Sequence, residues 1–252
     1  MKILSFKYIG GEFPHPLDGF QHQFHSNKDV GHTLPICLAG INGSGKSKLL
    51  EKLAEIFHYI INHYIYSETS HKTKLKFELE YIYEGKKDVQ IRISQNEPNG
   101  IPRFEIIKGI LVEKILSKEQ IPNYLPSKII GYTSGQNETL SKFFEASYSE
   151  YSDAVTNLAR FPKEGPVPDS HFVFLDNNVN SFVFIANSIF RTKKDLSVIN
   201  NKIEHLDSLE SFRIVIQEKP RYKSRLVPIS LTPELSSYIA SLKKCADRKS
   251  VV

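Results

Sequence analysis

The chain has 252 residues, 40% of them hydrophobic and 24% charged, with a formal net charge of +5. That composition excludes a disordered, collagenous or disulfide-stapled chain and suits one large α/β domain or two small ones. The mild positive balance permits contact with nucleic acid without demanding it. The only two cysteines, Cys37 and Cys245, lie far apart and lack metal-ligand spacing, so a reducing, cytoplasmic setting is the simpler expectation. The N-terminal segment does not read as a signal peptide, and no apolar run approaches the ~20 residues that span a bilayer, so no membrane partner is expected.

In chain order, Lys2–Ile9 reads as a strand, and the alternation in Phe20–Phe24 predicts a second, half-exposed one. Leu34–Ala39 is a short apolar run of buried-strand type, and Cys37 within it is expected to be buried. Gly40-Ile41-Asn42-Gly43-Ser44-Gly45-Lys46-Ser47 follows, which has the pattern G-x-x-x-x-G-K-S. Each position has a mechanical role there. Glycines let successive backbone N–H groups turn inward on phosphate oxygens, a lysine reaches the β- and γ-phosphates, and a serine hydroxyl faces Mg²⁺. Leu49, Leu50, Leu53, Ile56, Phe57, Ile60 and Ile61 then fall on one face of a helix running to about Tyr66, whose positive N-terminal end adds to an anion site. Strand, glycine loop and helix is the setting that the motif requires. The candidate nucleotide-binding set is therefore Gly40, Asn42, Gly43, Ser44, Gly45, Lys46, Ser47 and Lys48. In it Lys46 is the catalytic cation, Ser47 is the Mg²⁺ ligand and ATP is the ligand.

Leu75, Phe77, Leu79, Tyr81 and Tyr83 alternate with polar residues, as do Val89, Ile91 and Ile93, and then Phe104 and Ile106. Gly85 and Pro98-Asn99-Gly100 separate these runs, which predicts an antiparallel meander with one wet face. Lys128–Tyr132 reads as a core strand ending in the polar loop Thr133–Glu138. A helix is expected over Ser141–Ala159, a break over Pro162–Pro168, a strand over Phe172–Leu175 ending at Asp176, a helix over Ser181–Phe190 and a strand over Ser211–Gln217. Thr232-Pro233-Glu234 opens a last helix with a Thr cap and Pro in the first turn. The cluster Arg221, Lys223 and Arg225 around Tyr222 reads as a solvated loop rather than a nucleic-acid patch. The histidines, His22, His25 and His171 among them, show no metal spacing, and no hydrolytic nucleophile with its base can be read from the sequence.

The order of these elements resembles the ABC-type ATPases of the structural-maintenance and DNA-repair kind. Two short strands precede a G-x-N-G-[SA]-G-K-S loop, here residues 40–47, and an antiparallel β-subdomain precedes the next core strand. The text around Gly131–Glu138 and Phe174-Leu175-Asp176 looks further like AAA-family ATPases associated with restriction and phage defence. The resemblance implies an α/β, P-loop NTPase core of ABC type, with an antiparallel β-subdomain (about 74–108) inserted after the P-loop helix and a helical or mixed part over about 139–246. It implies that Gln136 touches Mg²⁺ and the attacking water, the rival reading being a polar turn that caps the next helix. It implies that Asp176 is the Mg²⁺-supporting Walker B carboxylate. The family places a catalytic Glu directly after that Asp, whereas Asn177 stands here, and an amide cannot act as a general base. Either Asp176 belongs to another strand or the copy hydrolyses poorly. In an alternative assignment Ser134-Gly135-Gln136 is a degenerate signature motif, with Walker B at Asp176.

No convincing signature or switch His is legible, so the chain is expected to be the N-terminal part of a longer ATPase whose site closes against a homodimer mate, a partner ATPase or a nuclease subunit, with DNA a possible partner. Asp247–Val252 are expected to be a non-native tail, of the kind read from a sequencing adapter, or a natural disordered one. Two other functions stay open: a nucleotide-binding assembly module without turnover, and a small P-loop kinase, which the inserted meander argues against. Guanine is disfavoured because no N-K-x-D sequence occurs.

Overall fold

The computed structural model describes residues 1–25, 35–66, 73–84, 88–132, 138–160, 170–190 and 231–245. They form β1 (Lys2–Gly10), β2 (Gln21–Gln23), α1 (Lys46–Tyr64), β3 (Lys76–Tyr83), β4 (Val89–Gln95), β5 (Arg103–Lys108) and β6 (Leu111–Ile115). A 3-10 turn at Ile121–Tyr124 leads to β7 (Ile129–Tyr132), α2 (Glu138–Arg160), β8 (Phe172–Leu175) and α3 (Asn177–Phe190), with α4 (Pro233–Cys245) last. Contacts divide the chain into two compact units. The first is built on residues 1–129 with 138–147 and 171–173, and the second on the remainder. Among the described residues no helix is long and apolar enough to cross a membrane.

The first unit is organised by one six-stranded sheet in the order β2-β1-β3-β4-β5-β6, and every neighbouring pair within it is antiparallel. Period-2 patterning fixes its register. Phe6 stands opposite Leu79, Leu79 opposite Ile93, and Ile93 opposite Phe104, all four buried. The antiparallel meander forms, and β3 pairs directly with β1, so the meander and the first two strands share one sheet. The other face carries a charge ladder, in which Glu80 lies opposite Arg92 and Arg92 opposite Glu105. Arg92 Nε donates to Glu80 at 2.7 Å, and Arg103 Nε pairs with Glu105 at 2.7 Å. Cross-strand pairs of this kind contribute roughly 0.2–1 kcal/mol each.

Helix α1 packs on this sheet. Leu49, Ile56, Phe57, Ile60 and Ile61 are buried as the helical spacing requires, while Leu50 stays exposed. The Phe57 ring lies 6.4 Å from Tyr81 of β3, and Tyr64 lies 5.3 Å from Phe104 of β5. Tyr64 donates its hydroxyl hydrogen to Pro102 O at 3.0 Å. At the start of α2, Phe144 and Phe172 meet edge to face at 5.2 Å, and His58 of α1 meets Phe172 at 5.7 Å.

Three expectations need correction. Residues 35–39 form no strand, although Leu34–Ala39 is apolar. Pro35 lacks an N–H, and a strand needs a neighbour on which to close its ladder. Cys37 is accordingly exposed rather than buried. Strand β7 forms, but it is no core strand: Ile130 is 64% and Tyr132 59% exposed, and among the described residues β7 pairs only with β8, in a small two-stranded parallel sheet. The described residues are therefore mixed α/β, with one antiparallel and one small parallel sheet.

Within the second unit, α4 begins as its sequence dictates. Thr232 Oγ1 accepts the Leu235 N–H at 3.2 Å, with Pro233 in the first turn. Removing that acceptor with Thr232→Ala is expected to destabilise the helix by about 1 kcal/mol. Amide exchange in its first turn should quicken by about fivefold, whereas Thr232→Ser should leave it unchanged. The break at Pro162–Pro168, the strand at Ser211–Gln217, the Arg221/Lys223/Arg225 cluster and the Asp247–Val252 tail lie outside the described residues.

Candidate functional site

Residues 40–47 form an exposed turn that runs directly into α1. Gly43 and Gly45 take φ of +86° and +89°, backbone geometry that side chains rarely adopt. Gly45 is the N-cap of α1. No side chain bonds there and no acidic residue sits in the first turn, so nothing in that turn neutralises the positive helix end. The Ser44 N–H donates to Ile41 O at 3.2 Å, and the Leu49 N–H donates to Gly45 O at 2.9 Å. A Cβ on Gly40 would stand 2.8 Å from Ser44 Oγ, so that side chain would have to move.

The Lys46 ammonium folds back over the turn. It donates to Gly40 O at 2.7 Å, to Ile41 O at 2.8 Å and to Ser44 Oγ at 3.2 Å. Three acceptors in one turn hold the cation over the loop. Asn42 and Ser47 are exposed, and the Ser47 hydroxyl sits in the first turn of α1. Such an oxygen suits Mg²⁺, which takes few protein ligands beside phosphate oxygens and water. Lys48 is already engaged, with its Nζ 2.7 Å from Glu51 Oε2.

One neighbour of the loop was not anticipated from sequence. A compact turn at Pro14–Gly19 places Leu17 Cδ2 3.5 Å from where a Cβ on Gly45 would lie. The Leu17 N–H donates to His15 Nδ1 at 3.2 Å, and the His15 N–H donates to Asp18 Oδ2 at 2.9 Å. The Tyr8 ring meets His15 edge-on at 5.6 Å. Burial pushes the Tyr8 phenol up to about 12, with the Asp18 and Glu55 carboxylates adding to it. Burial also holds His15 below its ordinary value. Lys52 and Lys48 reinforce that shift, against the opposing pull of Asp18 and Glu51. The Pro-x-Pro-x-Asp-Gly text announces a turn, but nothing in it says what the turn touches.

Asp176 ends β8 and caps α3, its Oδ1 accepting the Val179 N–H at 2.8 Å. The loop belongs to the first unit and Asp176 to the second. Gln136 and the Ser134-Gly135-Gln136 alternative lie outside the described residues. Half-buried His171 has its Nδ1 3.3 Å from Pro126 O. No family model, curated protein or solved structure matches the chain.

Proposed function

We propose that the Gly40–Ser47 loop binds the phosphates of ATP with Mg²⁺, and that the chain is the nucleotide-gripping part of an ABC-type P-loop ATPase. The observation that carries this is the Lys46 ammonium, held by three acceptors over a turn with two positive-φ glycines at an uncapped helix N-terminus. Lys46 neutralises phosphate charge, and the amides of Gly43, Ser44, Gly45 and Lys46 donate to phosphate oxygens. Gly40 and Asn42 shape the turn, Lys48 adds positive charge, and the Ser47 hydroxyl is the Mg²⁺ ligand. Bound Mg²⁺ would supply charge neutralisation across the phosphates. The reaction in the complete protein is ATP + H₂O → ADP + phosphate, driving the opening and closing of a dimer in DNA-linked or defence-related work. Equilibrium binding of ATP with and without Mg²⁺ tests the core of this. Absence of binding at millimolar nucleotide would overturn it.

A second function, ATP binding without turnover in an assembly or regulatory module that partners a nuclease, is favoured by one observation. Asn177 follows Asp176, and the Asp176 carboxylate serves as a helix cap. Asn caps about as well as Asp. Asp176→Asn should therefore keep the α3 cap, read as unchanged amide exchange at Val179, whereas Asp176→Ala should cost about 1 kcal/mol. If Asp176 also supports Mg²⁺, Asp176→Asn lowers phosphate release roughly 10–100-fold, as loss of a supporting residue at a metal does. A binding-only module shows no release to lower.

A further inference from the structure

The Pro14–Gly19 turn is tied at both ends. Besides the two bonds at His15, the Asp18 N–H donates to His15 O at 2.9 Å, the Phe20 N–H to Leu17 O at 2.8 Å, and the Tyr8 N–H of β1 to Phe20 O at 2.8 Å. Leu17 is the turn's buried residue, 5% exposed, and its methyl lies against the N-cap glycine of α1. A rigid strand, a rigid turn and one apolar contact thus brace the point at which the glycine loop becomes helix. The brace depends on an acceptor that can be switched off. His15 Nδ1 takes the Leu17 N–H only while that nitrogen carries no proton.

We propose that the His15–Leu17 pair is a proton-sensitive brace for the phosphate loop: neutral His15 holds Leu17 against Gly45, and protonation of His15 frees the turn and weakens nucleotide binding. The proposal rests on the nucleotide-binding function proposed above. His15 is a positioning residue in this scheme, acting through Leu17. Protonation sets two N–H groups face to face and adds a positive charge to a site that already holds two. The groups facing His15 are Tyr8 from β1, Lys48, Glu51 and Lys52 from α1, and Asp18 from its own turn. Lys48 and Lys52 are paired with Glu51 and Glu55, each at 2.7 Å, and the Lys52 ammonium also lies 5.7 Å over the Tyr8 ring, so their neighbouring carboxylates are partly committed. Burial and the two lysines favour the neutral ring. The brace is therefore in place at and above the ordinary histidine value of about 6.5 and is lost as pH falls below it.

The test compares the unmodified protein with His15→Asn, whose side-chain oxygen can accept the same N–H without titrating, and with Leu17→Ala. Affinity for a fluorescent ATP analogue with Mg²⁺ is measured at pH 7.5 and pH 5.5. Protonation of the nucleotide itself is common to all three proteins and cancels. The expected result is an acid loss of affinity in the unmodified protein that exceeds that of His15→Asn by roughly two- to tenfold, the range one hydrogen bond sets. Leu17→Ala should bind weakly at both pH values. Equal pH ratios for the unmodified protein and His15→Asn, or unweakened binding by Leu17→Ala, would overturn the brace. Failure of all three to bind at pH 7.5 would instead overturn the nucleotide site. Amide exchange of Leu17 and of residues 45–49 in nucleotide-free protein then still decides the brace. Acid should loosen these amides in the unmodified protein relative to His15→Asn, and equal protection in both would end the proposal.

Discussion

Lys46→Ala is expected to weaken ATP binding by roughly 10–100-fold while leaving the unfolding midpoint almost where it was. The affinity loss follows from removing a charge-assisted hydrogen bond to phosphate, worth about 1.5–3 kcal/mol, with about 1.4 kcal/mol per tenfold in affinity. Stability is spared because the three acceptors of Lys46 all lie in its own turn, and all three bonds are exposed. Once the ammonium is gone, water can reach the carbonyls of Gly40 and Ile41, and no other element loses an anchor. Surface changes of this kind stay within about 0.5 kcal/mol. Lys46→Arg is a useful companion. The guanidinium keeps the charge but is a planar fork, unable to sit as a point over three acceptors in one tight turn. It is expected to bind better than alanine and worse than lysine. Fluorescence titration with Mg²⁺ and ATP, beside urea unfolding of the same samples, reads both quantities. Full affinity in Lys46→Ala would remove the loop from nucleotide binding altogether.

What could be read from sequence was what is encoded locally. The alternation in β3, β4 and β5 is a period-2 pattern, and each formed where the pattern placed it. Helix α4 started at its Thr-Pro signal. Other features needed neighbours that no local pattern names. Pairing of β3 with β1 joins segments about seventy residues apart into one sheet. Leu34–Ala39 had the apolarity of a strand, but apolarity does not provide a partner ladder, and residues 35–39 remained outside both sheets. Strand β6 went unread because its exposed LVEKI lacks alternating burial, although the Gly109-Ile110 turn, with Gly109 at φ +64°, was a hairpin signal. At the site, the glycine positions were legible because backbone geometry demands them. The return of Lys46 onto its own turn and the approach of Leu17 to Gly45 were not, being products of tertiary packing. Asp176 shows how one signal can serve two meanings. A carboxylate after an apolar strand reads as a metal ligand, and a carboxylate before a helix reads as a cap, and Asp176 does accept the Val179 N–H.

The largest stability effect is expected from Tyr81→Ala, about 3–5 kcal/mol, comparable with other buried aromatic truncations and a large part of the 5–15 kcal/mol that holds a domain folded. Tyr81 is fully buried in β3, tilted at 57° against Phe57 of α1, and its hydroxyl donates to Tyr124 O at 3.0 Å. Burial, with Tyr83 beside it, pushes its phenol well above the ordinary value, so the donor survives to strongly alkaline pH. Tyr81→Phe separates the two contributions: it keeps the ring and leaves Tyr124 O without this donor, at about 0.5–1.5 kcal/mol. A midpoint in Tyr81→Ala within 1 kcal/mol of the parent, a figure set against the range for such truncations, would show that α1 is not seated on this ring. The same variant bears on the loop, because α1 carries Lys46 and Ser47 at its start. A ligand that binds only the folded state stabilises it by about 2.7 kcal/mol at a hundred times its dissociation constant. Saturating ATP with Mg²⁺ should therefore return most of the lost stability to Tyr81→Ala. Adding Lys46→Ala should cut that rescue to about 0.4–1.4 kcal/mol at the same nucleotide concentration, because a site 10–100-fold weaker is then only partly to half saturated.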